Sequence, residues 1–281
     1  MKRVIFCLFA MLCFPAALMA QIDSTRADNA PRDVLLVLDN SGSMKQNDPA
    51  RLTAKAVQGF IARQQPGTRV GILLFADNPR LVAPLTPVTA RTRNELLSAL
   101  EQLNYSGRWT ETAEAVERAI YELRVNGRDH ALQAIVLMTD GILDTGNAER
   151  DQQRMQWLRT SLVPEAQANN IAIFGLAFTE QADFQLLQFL AQQTGGEYFR
   201  ALTPQNIAPV LDQIDSALAD SAQNSQAAQD LQAQVTTTTT TPAQAGAPAA
   251  QINTTAPDRI VYSGPTAPVT VPTEPIAETR G

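Results

Sequence analysis

The sequence predicts an α/β domain: a doubly wound, mostly parallel central sheet with helices on both faces, followed by a disordered C-terminal tail. Three observations carry that expectation. The apolar runs VLLVL (Val34–Leu38), VGILLF (Val70–Phe75), AIVLMT (Ala134–Thr139) and IAIFGLAF (Ile171–Phe178) are continuous rather than alternating, as strands buried on both faces are. Between them, apolar residues recur at helical spacing. After about Ser221 the composition shifts to Gln, Ala, Thr and Pro.

The elements follow in order. Val34–Leu38 is the first strand. Leu52, Ala56, Val57, Phe60 and Ile61 mark the first helix, and Gly67 turns the chain into the strand Val70–Phe75. Leu81–Ala83, between Pro79 and Pro84, reads as a short edge strand. Leu96, Leu97, Leu100 and Leu103 mark a second helix; Ala113, Val116, Ala119, Ile120 and Leu123 mark a third. After the strand Ala134–Thr139 comes a polar helical stretch, and Pro164 is expected to open a separate short helix. Phe184–Thr194 is a helix stopped by Gly195 and Gly196. Glu197–Phe199 adds a last strand, and Ile207, Val210, Leu211, Ile214 and Leu218 a closing helix.

The flanks divide into segments. Lys2 and Arg3, the apolar stretch Val4–Phe14 and small residues up to Ala20 read as a secretory signal peptide over residues 1–20. That apolar run is short of the about 20 residues a membrane span needs. No lipoprotein pattern precedes Cys13. Both cysteines, Cys7 and Cys13, lie in this segment, so the exported chain is expected to lack thiol and disulfide chemistry. The folded domain is expected over 31–220, a helical extension over 221–234, and a disordered Thr/Pro/Ala-rich tail over 235–281, where too little apolar surface offsets the ordering entropy. DRIVYSG (Asp258–Gly264) is the tail's one more apolar patch. Losing Lys2 and Arg3 takes the net charge from −6 to −8, which disfavours nucleic acid as a partner. No later apolar run is long enough to span a membrane. The expected location is outside the cytoplasm, periplasmic or extracellular.

The first strand runs straight into DNSGSM. Asp39 sits just past its carboxyl end, the edge where open parallel sheets bind ligands. Ser41 and Ser43 follow at alternate positions, and Gly42 permits a tight loop. One carboxylate and two hydroxyls suit a hard divalent cation with oxygen ligands. Further oxygens come from the same sheet edge. Asp140 ends the fourth strand in MTDG, and SGRWTET (Ser106–Thr112) offers Thr110 and Thr112. Asp77 and Asp144, near loops at that edge, read as turn residues. Glu111, Glu114 and Glu117 read as a solvated helix face.

These residues resemble the von Willebrand factor type A domain with its metal-ion-dependent adhesion site. Asp39, Ser41 and Ser43 match the family's D-x-S-x-S motif, Thr110 best matches its loop threonine, with Thr112 the alternative, and Asp140 matches its third-motif aspartate. The resemblance covers about Pro31 to Leu218 and implies a Rossmann-like fold. It further implies that Ser41, Ser43 and Thr110 are direct or near-direct ligands of Mg²⁺ or Mn²⁺, with Asp39 and Asp140 bound directly or through water. An open coordination position would accept a Glu or Asp carboxylate from a protein partner. The implied function is cation-dependent protein binding or adhesion without catalysis. An accessory subunit of an envelope assembly or ATPase-linked complex is the alternative.

Enzyme readings fit less well. An aspartyl phosphatase of the haloacid dehalogenase type has D-x-D, with its second aspartate as acid and base; Ser41 stands there and cannot do that near neutral pH. No G-x-S-x-G elbow and no G-x-x-x-x-G-K-[ST] loop occurs. His130, the only histidine, precedes the fourth strand and is expected at the opposite sheet edge.

Overall fold

A computed structural model describes residues 30–179 and 182–239. The expected signal peptide, and the expected tail beyond Thr239, lie outside the described residues.

Six strands form one sheet in the order β3-β2-β1-β4-β5-β6. They are β1 (Arg32–Asp39), β2 (Thr68–Phe75), β3 (Arg80–Pro87), β4 (Leu132–Thr139), β5 (Ile171–Ala177) and β6 (Tyr198–Arg200). β3 is antiparallel to β2; the other pairings are parallel. The chain winds outward from β1 to β3, then returns to β4 on the other side of β1, so the order reverses at the β1–β4 junction. Every residue of β1 is buried.

The alternation of side chains along β1 divides the core into two layers. Val34, Leu36 and Leu38 pack with Val57, Phe60 and Ile61 of α2 (Leu52–Arg63), with Leu96 and Leu100 of α3 (Ala90–Leu100), and with Leu211 and Ile214 of the closing helix. Leu35 and Val37 face Val116 and Ile120 of α4 (Thr112–Asn126) and the helices that follow β4 and β5. A one-turn helix, α1 (Met44–Asn47), follows the Asp39 loop and is anchored by the fully buried Met44.

Two elements differ from the sequence expectation. β3 is longer than Leu81–Ala83 and runs through Pro84. At the sheet edge a missing N–H is tolerated, and the register is already irregular between Val70 and Leu73. Pro164 does not open a separate helix. α5 (Ala148–Trp157) continues through a π-turn, Leu158–Leu162, into α6 (Val163–Ala168). The widened turn lets the Val163 N–H reach the Leu158 carbonyl just before proline removes the next donor.

α7 (Phe184–Thr194) ends at Gly195, whose φ of 74° suits glycine. The closing helix α8 spans Ile207–Thr239 and so covers 221–234 and the first residues beyond. At the amino edge of the sheet the fully buried Asp33 accepts hydrogen bonds from Arg69 Nε at 2.8 Å and from the Arg128 backbone at 2.7 Å and Nε at 2.9 Å. Burial alone would raise its pKa, but the two arginines hold the carboxyl below the usual aspartate value.

Candidate metal centre

Asp39 is the last residue of β1 and is 1 % exposed. Its Oδ1 accepts the Ser41 backbone N–H at 2.8 Å, which folds the loop back over the strand end. Its Oδ2 accepts from Thr139 Oγ1 at 2.6 Å, so the ends of β1 and β4 are tied side to side. Gly42 passes close to the Gly107 carbonyl, which an added Cβ would meet at 3.1 Å. The Ser41 and Ser43 hydroxyls lie 3.0 Å apart, and Ser43 Oγ donates to Asp140 Oδ1 at 3.0 Å. Four of the predicted oxygen-bearing side chains are thus joined: Asp39 through the Ser41 backbone, and Ser41, Ser43 and Asp140 through side chains.

The threonine loop crosses above β1. Gly107 bridges to Ser41, the Thr110 backbone pairs with Asp144 in both directions at 2.8 and 3.1 Å, and the Glu111 N–H donates to Ala76 O at 2.9 Å. Thr110 is therefore suspended between the chain after β4 and the chain after β2. Thr112 starts α4, and its hydroxyl points back to the Thr110 carbonyl at 3.5 Å. Asp144 Oδ1 accepts the Gly146 N–H at 2.8 Å in a turn, and Asp77 Oδ2 accepts the Arg108 N–H at 3.0 Å, holding the threonine loop.

Several positioning residues escaped the sequence reading. Asn47 Nδ2 donates to Asp140 Oδ2 at 2.7 Å; it stands four residues after Ser43, on the same helical face, a spacing that could have revealed it. Asn40 Oδ1 accepts the backbone N–H groups of Asn104 and Tyr105 at 2.8 and 2.6 Å, pinning the start of the threonine loop. Thr179 Oγ1 donates to the Asp140 carbonyl. Glu111 is not a solvated residue: it is 5 % exposed and pairs with Arg154 Nε at 3.3 Å. Nothing local in the sequence points to Arg154, which comes from α5.

The electrostatics fit a cation. Asp39 and Asp140 are both 1 % exposed. Among the described residues neither pairs with a lysine or arginine; their partners are hydroxyls, amides and backbone N–H groups. Burial, together with the neighbouring Asp140, pushes the Asp39 carboxyl up to about 7. Burial also raises Asp140, against the hydrogen bonds from Asn47 and Ser43. Among the described residues no group of three or more His, Cys, Asp and Glu side chains clusters as a metal site would. The donor set is two carboxylates plus hydroxyls, all hard oxygen atoms, which suits a hard divalent cation.

The family model of the von Willebrand factor type A domain matches residues 33–217. The chain belongs to this family. Two curated relatives share part of it. A UPF0353 protein of Mycolicibacterium paratuberculosis is 32 % identical over 142 residues, 48 % of this chain and 42 % of the relative. Integrin alpha-X of Mus musculus is 27 % identical over 177 residues, 59 % of this chain and 14 % of the relative. The chain thus spans less than half the length of either.

Solved structures share the type A fold at low identity. A von Willebrand factor type A protein from Catenulispora acidiphila superposes with a TM-score of 0.53 at 16 % identity, over 70 % of this chain and 43 % of that one. The von Willebrand factor domain of the type V pili tip protein Mfa5 from Porphyromonas gingivalis gives 0.52 at 16 %, over 69 % and 97 %. Proximal thread matrix protein 1 from the mussel byssus, with a zinc-occupied MIDAS motif, gives 0.52 at 14 %, over 68 % and 48 %. In the type A domain described here, His130 precedes β4 at the amino edge of the sheet, away from Ser41. Among the described residues no helix is long and apolar enough to cross a membrane.

Proposed function

We propose that this chain is a divalent-cation-dependent protein-binding module acting outside the cytoplasm, with Mg²⁺ or Mn²⁺ held at the carboxyl edge of the sheet. The observation that carries the reading is the pair of buried carboxylates, Asp39 and Asp140, packed among hydroxyls with, among the described residues, no basic side chain paired with them. Ser41, Ser43 and Thr110 would supply neutral oxygens, and Asp39 and Asp140 would bind directly or through water. With Asp39 or Asp140 bound through water, the side chains fill fewer than the six positions such an ion takes, and a Glu or Asp of a protein partner would fill an open one. Recognition, not bond-breaking, is the output of this reading: Ser41 holds the place where a phosphatase of the D-x-D type has its acid.

The test is direct metal binding. Mn²⁺ bound by the full chain is counted by electron paramagnetic resonance, with Mg²⁺ and Zn²⁺ as competitors. Zn²⁺ is included because the mussel relative's motif holds it. One saturable site in the wild type that Asp140→Ala abolishes supports the reading. An Asp140→Ala protein that binds Mn²⁺ as the wild type does would sink it.

A further inference from the structure

The two flanks of the site differ in chemistry. On the β2 side a cleft of ≈ 280 Å³ is lined by Asn40, Asp77, Asn78, Arg80 and Ser106 among others, and is mostly polar. On the β5–β6 side three large apolar side chains face solvent, among polar ones such as Gln185 and Arg200. Ile142, two residues past Asp140, is 58 % exposed; Phe184 is 44 % and Leu202 56 % exposed. They are half of the six large hydrophobic side chains that stand out as exposed among the described residues.

Backbone and ring contacts bring the segments that carry these three side by side. The Asp183 N–H donates to the Gly141 carbonyl at 3.4 Å, which brings the start of α7 against the Ile142 turn. The Arg200 guanidinium carbon lies 5.8 Å from the centroid of the Phe184 ring. Leu202 follows two residues later, past a hydrogen bond of 2.8 Å from Ala201 N–H to Ala177 O. Core packing does not account for them, because α7 fills the core with Leu186, Leu187 and Leu190 and leaves Phe184 outside. A lone exposed apolar residue needs no explanation, but a strip of aliphatic, aromatic and arginine groups on adjoining segments has the composition of an interface centre.

We propose that this strip is the specificity side of the site, and the inference rests on the metal reading above. It takes an extended partner segment whose metal-binding carboxylate is flanked, on one side only, by aliphatic or aromatic residues. Neighbouring strands are about 4.8 Å apart, so β4 to β6 spans roughly 10 Å, the reach of about three extended residues. Apolar partner side chains therefore fall within about two to four positions of the acid. Arg200, exposed on the Phe184 ring, adds a cation that favours an acidic segment over a basic one.

The test selects from a random peptide library with one fixed central Asp, displayed against the full chain in Mn²⁺ and in EDTA. Wild type should enrich EDTA-sensitive peptides with apolar residues on one side of the Asp. A selected peptide should bind about tenfold tighter than its version with those residues changed to Ser, as burying one or two apolar side chains implies. The Ile142→Ser/Leu202→Ser protein should lose that preference while binding Mn²⁺ as before. EDTA-sensitive selection without apolar bias, bias retained by the double variant, or no metal-dependent selection while Mn²⁺ binds would each overturn the strip as a docking surface. Failure of the wild type to bind Mn²⁺ would overturn the metal reading itself, and the proposal with it.

Discussion

Asp39→Asn separates what the site does for function from what it does to stability. Asp39 is buried, lies beside Asp140, and has its pKa pushed up from 3.8 to about 7. Because the folded value lies above the unfolded one, the ionised form opposes folding. The penalty is absent below about pH 4, grows as pH rises toward 7, and is complete above it. A displacement of that size corresponds to roughly 4 kcal/mol against the metal-free fold at pH 8. Asparagine removes the charge and can keep the Ser41 N–H bond, but turns an amide toward Thr139. The net gain expected is therefore about 2 kcal/mol, several degrees of Tm at roughly 2–4 °C per kcal/mol for a domain this large. The assay is thermal unfolding of both proteins in EDTA at pH 5 and pH 8, then with Mg²⁺. The variant should be the more stable at pH 8, lose most of that advantage at pH 5, and gain nothing from Mg²⁺. Wild type at a hundredfold excess over Kd should gain about 2.7 kcal/mol. A variant less stable than wild type at pH 8 in EDTA, or one that Mg²⁺ stabilises equally, would refute the reasoning.

Three further outcomes test neighbouring parts of the site. Thr110→Val should weaken Mn²⁺ binding about tenfold, whereas Thr112→Val, whose hydroxyl points to a backbone carbonyl, should leave it within about twofold; titration by electron paramagnetic resonance decides between them. Asn47→Ala should lower Mn²⁺ affinity by about tenfold by freeing Asp140 Oδ2, with no loss of fold by circular dichroism. Asp33→Ala should destabilise the domain by about 3 kcal/mol at pH 7 in urea unfolding and leave Mn²⁺ affinity unchanged, since it strands Arg69 and Arg128 at the opposite edge. The wild type's own benefit from Asp33 is present above the unfolded pKa of 3.8 and disappears as pH falls through the lower folded value.

The fold was legible where periodicity and position agree. Continuous apolar runs marked β1, β2, β4 and β5, and Gly195 marked the end of α7, because burial on both faces and a left-handed cap leave distinct residue patterns. The extent of β3 was not legible: Pro84 reads as a strand stop, yet at an edge with irregular register its missing N–H is harmless. Likewise Pro164 reads as a helix start, and only the π-turn before it shows how one helix passes into the next. At the site, Asp39, Ser41, Ser43 and Asp140 were picked out as oxygen-bearing strand ends. What holds them was not, because Asn40, Thr139, Thr179 and Arg154 act through contacts distant in sequence. The Glu111 misreading has the same cause, since a helix-face charge looks solvated until the arginine from α5 covers it.

β1 carries its own internal control. Asp33 and Asp39 lie near its two ends, and both are essentially buried at 0 and 1 % exposure. Desolvation acts on both in the same direction, yet their carboxyls move oppositely, Asp33 down and Asp39 up. The difference is the counter-charge: two arginines at Asp33, a second carboxylate at Asp39. The same strand thus has one buried aspartate thoroughly neutralised and the other set beside like charge among hydroxyls at the carboxyl edge. Local violations of that kind persist where function needs them. What Arg69 and Arg128 do for Asp33, a divalent cation would do for Asp39 and Asp140 together. Metal binding should then release protons below about pH 7, so that affinity climbs up to tenfold per pH unit between about 5 and 7 and levels off above. Calorimetric titration in two buffers of different ionisation enthalpy measures that release. An affinity flat across the range, with no proton released, would mean that Asp39 is already ionised in the metal-free domain and that the conflict at this edge is relieved by some other means.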